Sequence, residues 1–201
     1  MGISPTQLAE LVCTRISHDL IGNIGAINNV LEFVHDSNGV LEEGDLNVLD
    51  TAISTLSARQ QFFRLAFGID TAAVDKEKLR QICQNYLSVA GNKAYPLDFE
   101  CNNMSSQIAK VLCLCLMIGA EVCLRGGHIK VTIGSKIIVE TMSENPLATA
   151  KINIYKQIIS GEHPQDNIAQ FIQLIYLQNL LGEDVPISLN ADEKKMTLTI
   201  G

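Results

Sequence analysis

Apolar side chains recur every three or four residues from Leu8 to Val34, and the run stops at Asp36-Ser37-Asn38-Gly39. That period marks one face of an α-helix, and the stop carries turn chemistry. The spacing predicts a helix over 4–35. Ser4 suits its N-cap, Pro5 its first helical position, and Gln7 closes a capping box. A second stripe, Leu46, Leu49, Ile53, Leu56, Phe63 and Phe67, predicts a helix from Asp45 to Phe67 with Gly68 as its stop. Residues 1–70 therefore read as an antiparallel helical hairpin. Two helices bury too little by themselves, so a homodimer completing a four-helix bundle is the expected arrangement.

After Asp70 the pattern changes. Helices are expected over 75–90, 105–124, 147–160 and 164–181. His128 to Ile133 alternates between apolar and polar positions, as a half-buried strand does. Further strands are expected at Tyr95 to Cys101, Lys136 to Met142, Val185 to Leu189 and Met196 to Ile200. Residues 71–201 thus read as helices laid on a mixed sheet, and the chain as α+β. The connection near 68–74 is too short to let the two parts tumble freely.

Composition narrows the function. The chain has 201 residues, 47% of them apolar and 18% charged, which suits a folded core and not disorder. Fifteen basic against 22 acidic residues give a net charge of −7. Nucleic acid and anionic membrane surfaces both need basic patches, so neither is expected as a partner. The longest uncharged apolar run, Val111 to Ala120, is too short to span a bilayer and reads as a buried helix. No basic stretch followed by an apolar one opens the chain, so no secretory signal is expected. Six cysteines form no Cys-x-x-Cys pair. Buried thiols in a reducing cytoplasm are the expected state.

The candidate chemistry lies on the first helix. A helix turns about 100° per residue. Measured from His18, the residues Cys13, Ile16, Leu20, Ile24, Ile27, Leu31 and Val34 lie between about 160° and 240°, on the far side. The face of His18 itself carries Arg15, Gly22, Gly25 and Asn29, with Asp19 to one side. Glycine inside a helix costs about 1 kcal/mol against alanine. Two glycines beside an outward histidine are a local conflict of the kind found at functional sites. An ordinary surface histidine fits the same spacing, so both readings stand at this point. His35, His128 and His163 lie near element ends and are read as structural.

The run Ser17-His18-Asp19-Leu20-Ile21-Gly22-Asn23-Ile24-Gly25-Ala26-Ile27-Asn28-Asn29, followed by Leu31-Glu32, resembles the phosphoacceptor helix of the bacterial ChpT histidine phosphotransferases. More distantly it resembles the H-box of sensor histidine kinases, where an acidic residue follows the histidine. Both groups often carry proline five residues after the histidine. Here that position is Asn23, which leaves open the kink a proline would impose.

The resemblance implies a dimerising hairpin followed by a domain like the kinase ATP-binding fold. It implies a phosphorelay histidine phosphotransferase, with His18 accepting a phosphoryl group from a receiver-domain aspartyl phosphate and passing it to response regulators. Asp19 would hold the imidazole. Arg15 would steady the phosphoryl group or pair with a receiver acid, and Gly22, Gly25 and Asn29 would form the docking surface. For Arg15 and Asp19 a solvated helix charge is the competing reading. Partners would be response-regulator receiver domains, including that of a hybrid kinase, in a relay controlling the cell cycle. No cofactor would be bound directly, since the receiver supplies Mg²⁺.

The same resemblance allows a test on the second half. Kinase ATP-binding domains hold Mg²⁺ and phosphates with asparagine on a helix, whereas Val111 to Ala120 contains no Asn, Asp, Glu, Lys or Arg. Mg²⁺ needs hard oxygen ligands. The chain after Met142 reads Ser143-Glu144-Asn145-Pro146, without the glycines of the kinase loop. The fold is therefore expected to persist and the nucleotide site to be lost. Two rival functions remain: a non-catalytic dimeric adaptor that binds response regulators, and an atypical histidine kinase.

Overall fold

The first helix begins as its sequence predicts. The Ser4 hydroxyl accepts from the Gln7 amide at 3.3 Å, and Gln7 Oε1 accepts from the Ser4 amide at 3.0 Å. In the computed structural model, which describes residues 3–37, 39–69, 74–90, 97–100, 105–123, 126–164 and 166–201, this helix is α1 (Pro5–Asp36). It runs unbroken through Asn23. The second helix, α2 (Glu43–Phe67), returns antiparallel to it.

Then follow α3 (Lys76–Val89), β1 (Leu97–Glu100), α4 (Ser106–Val122), β2 (His128–Ile133), β3 (Ile137–Met142) and α5 (Thr149–Ile159). A 3₁₀ turn (Ile168–Phe171) leads into α6 (Ile172–Leu181), and β4 (Ile187–Ala191) and β5 (Lys195–Ile200) close the chain. The five strands form one sheet in the order β1-β2-β3-β5-β4. β1 runs parallel to β2, and the other three pairings are antiparallel. The α+β class is the observed one. Tyr95, Cys101, Leu124 and most of the 68–74 connection lie outside the described residues.

α4 is the centre of the core, with every residue from Val111 to Ala120 buried. A helical stretch that is apolar all round, as 111–120 is, is a buried one. The sheet covers one side and α2, α3, α5 and α6 the rest. Gly119 is what lets α4 lie so close to β3: a Cβ there would come within 2.7 Å of Thr141 Oγ1. The hairpin joins this layer through one end. Phe62, Phe63 and Ala66 of α2 belong to the same continuous core, and the Phe62 ring stacks on Tyr86 with centroids 3.7 Å apart.

Three expectations need correction. The apolar stripe of α2 is only partly covered within the chain: Phe63 is buried, Leu46 and Ile53 are exposed, and Ala52, Thr55, Ala58, Phe62 and Ala66 complete the inward face. The inward face thus combines small residues, Ala52, Thr55 and Ala58, with the large Phe62 and Phe63 where α2 meets the sheet layer. The helix expected from 164 begins only after Asn167, which adopts a left-handed φ of 54°, a conformation asparagine tolerates. The fourth strand begins at Ile187 because Pro186 has no N–H to give the ladder.

Candidate functional site

His18 lies near the middle of α1, where the hairpin leaves the sheet layer, and its side chain is 80% exposed. Its Nδ1 lies 3.4 Å from Asp19 Oδ1, a long hydrogen bond. Nε2 has no protein partner among the described residues and points to solvent. One and two turns further along, a Cβ built on Gly22 or Gly25 would meet nothing within 4 Å. Asn29 is exposed as well. The face around His18 is therefore open and low in relief.

Asp19 is held from two directions. Its Oδ2 accepts from Arg15 Nε at 2.8 Å, an (i, i+4) pair on α1. Its backbone carbonyl accepts from Arg59 Nη1 of α2. The carboxylate is thus mostly buried and fixed, with Oδ1 left to face the imidazole.

Arg15 is not on the docking face expected for it. Its side chain is 12% exposed and turned toward the sheet layer. Nη1 donates to the Gln170 carbonyl at 2.9 Å, and Nη2 lies 2.6 Å from Glu121 Oε1. A guanidinium presents donors in a rigid fork, so one buried arginine can serve three acceptors. Burial disfavours its charge, but Glu121 and Asp19 outweigh burial and hold its pKa above the ordinary value. Behind Glu121, Tyr155 Oη donates to Oε2 at 2.8 Å, and Gln173 Nε2 donates to Tyr155 Oη at 2.5 Å. Burial, with Glu121 alongside, pushes the Tyr155 phenol up, so it stays a neutral donor.

The arrangement can present a nucleophilic nitrogen on a rigid, accessible helix, backed by a fixed carboxylate. Among the described residues no three His, Cys, Asp or Glu side chains converge as metal ligands. No helix among them is long and apolar enough to cross a membrane.

Over 198 residues the chain is 30% identical to Protein phosphotransferase ChpT of Brucella abortus (strain 2308), spanning 94% of this chain and 91% of that protein. The chain belongs to the ChpT family of phosphotransferases. No family model matches it. A solved structure described as a bacterial phosphotransferase superposes over 100% of this chain and 98% of its own, with a TM-score of 0.83 and 25% identity. The Acinetobacter baumannii histidine kinase AdeS covers 91% of this chain at a TM-score of 0.46 and 14% identity, a likeness too weak to carry an argument.

In this ChpT-family chain, sequence reasoning missed the residues that hold Asp19 from afar: Arg59, Glu121, Tyr155 and Gln173. One signal was present for Glu121. It follows ten uncharged residues on a helix expected to be buried, and a buried carboxylate requires a partner. Nothing in the spacing names Arg15 as that partner.

Proposed function

We propose that this phosphotransferase is a phosphorelay component in which His18 carries the phosphoryl group between receiver domains. One observation carries the reading: in a ChpT-family chain, the outward histidine of α1 has Nδ1 turned to a fixed carboxylate and Nε2 free. With the proton on Nδ1, the Nε2 lone pair attacks the phosphorus of a receiver's aspartyl phosphate in line. The N–P bond forms as the P–O bond to the receiver carboxylate breaks, and that carboxylate leaves. Positive charge develops on the imidazole beside Asp19, which stabilises it. Transfer to a second receiver aspartate runs the same steps in reverse. Catalysis of this kind is positioning and charge stabilisation. The receiver brings its own acidic pocket and Mg²⁺, so ATP and a resident cofactor are not required.

Gly22, Gly25 and Asn29 form the floor on which the receiver sits. The hairpin, 1–70, works as a dimer, and 71–201 is a kinase-like domain without nucleotide chemistry, acting in the cytoplasm. Support for the dimer comes from Ile24 and Leu31 on the apolar stripe of α1 and from Leu46 and Ile53 on that of α2, all large, apolar and exposed on the outer part of the hairpin.

Replacing the nucleophile tests the reading. His18→Gln is expected to abolish label transfer from a phosphorylated receiver while leaving the melting temperature within about a degree of wild type, as surface substitutions do. If the variant still takes up label, the reading fails. If receivers bind but never label the wild type, the adaptor takes its place.

A further inference from the structure

Glu121 ends the helix that forms the centre of the core, and its side chain is 12% exposed. A carboxylate in that position is costly unless it is paired. Oε2 is hydrogen-bonded, and Oε1 is held by an ion pair alone. Oε2 accepts from Tyr155 Oη at 2.8 Å, with Lys151 Nζ 3.5 Å away, and Oε1 lies 2.6 Å from Arg15 Nη2. Gln173, wholly buried, donates to the same tyrosine oxygen at 2.5 Å. From Arg15 the contacts continue to Asp19 at 2.8 Å and from Asp19 to His18 at 3.4 Å. An unbroken series of polar contacts therefore joins the sheet layer's core to the imidazole.

We propose that Glu121 is a positioning residue for phosphoryl transfer at His18, acting through Arg15 and Asp19. The proposal rests on His18 being the phosphoacceptor. With Nη1 on the Gln170 carbonyl and Nη2 drawn to Glu121, Arg15 has only its Nε for Asp19. Asp19 then keeps Oδ1 turned to the imidazole Nδ1. The ring proton stays on Nδ1, and the lone pair stays on Nε2, the nitrogen that faces solvent. Without the charge on Glu121, Nη2 is released, and Arg15 closes on Asp19 with Nε and Nη2 and draws the carboxylate away from the ring. The sheet layer, in this account, sets the tautomer of a histidine on the hairpin. A cluster that only fastened the hairpin to the sheet layer would leave the tautomer unchanged.

Glu121→Gln in the full chain tests this with two readouts. Nitrogen-15 NMR of histidine-labelled protein reports the tautomer, and the signals of His18 are those lost in His18→Gln. The rate of His18 phosphorylation by phosphoramidate reports the nucleophile without any receiver. The wild type is expected to hold Nδ1–H. The variant is expected to shift toward Nε2–H and to lose about tenfold in rate, the lower end of the loss seen when a partner behind a metal-bound histidine is removed. Tyr155→Phe keeps the charge and loosens its hold, so about a threefold loss in the same direction is expected.

A folded Glu121→Gln protein with wild-type tautomer and rate overturns the proposal, as does a wild type that holds Nε2–H. If Glu121→Gln does not fold, Tyr155→Phe decides by the same two readouts. Absence of label on His18 in the wild type overturns the phosphoacceptor reading instead, and the tautomer then judges the coupling by itself.

Discussion

The two ends of the hairpin treat their apolar residues differently. Toward the sheet layer, Leu8, Leu11, Val12, Ile16 and Leu20 of α1 and Phe62, Phe63 and Ala66 of α2 lie against one core shared with α4. Away from it, Ile21, Ile24, Leu31, Leu46 and Ile53 remain exposed on helices of the same kind. The amphipathic pattern is continuous along α1, so the difference comes from what covers it. The chain covers its own inner end and leaves the outer end exposed. His18 stands where one regime gives way to the other. A histidine there can be anchored from the sheet layer through Arg15 and Glu121 while its own face stays open.

The largest effect that would sharpen this contrast is at the inner end. Phe62 is fully buried and stacked on Tyr86. Phe62→Ala is expected to cost about 3–5 kcal/mol of unfolding free energy, read by urea denaturation. A loss under about 1 kcal/mol would mean that this end is no better covered than the outer one.

At the outer end the expected effect is on association and not on folding. Leu31→Glu removes a large apolar side chain, worth about 1.5–3 kcal/mol when covered. The dissociation constant of the proposed dimer should rise tenfold or more, as read by sedimentation, with the urea midpoint of the separated chain unchanged. A wild type that sediments as a monomer at all concentrations would break the comparison.

The smallest effect concerns pH. Burial pushes the Cys115 thiol up to about 12, and it raises the Tyr86 phenol as well. The folded chain therefore keeps protons that the unfolded chain releases. The stability this contributes is complete below the unfolded thiol value of about 8.5 and is lost as pH climbs toward the folded one. The melting temperature should be level from about pH 7 to 8 and decline above about pH 9. A steady rise through that range would show that these groups are not shielded.

Much of this was legible in the sequence, because the signals were local. Ser4, Pro5 and Gln7 announce the start of α1, and the alternation of His128 to Ile133 announces a strand. The outward direction of His18 follows from the angle of each residue about the helix axis. What was not legible depends on distant partners. Periodicity marks α2 as having large apolar residues on one face, but it does not say which face meets α1. The buried positions of α2 include the small Ala52 and Ala58 beside the large Phe62 and Phe63. Arg15 looked like a surface charge because Glu121, its counter-ion, lies on a helix of the sheet layer. The spacing of α1 carries no trace of that helix.

The central claim is that His18 carries the phosphoryl group. The direct measurement is to mix the purified chain with a receiver bearing labelled aspartyl phosphate, with ATP removed, and to map the label by peptide analysis under alkaline conditions. Acid-labile phosphate on His18 is expected. Label on any other residue, or label on His18 only when ATP is supplied, would contradict it.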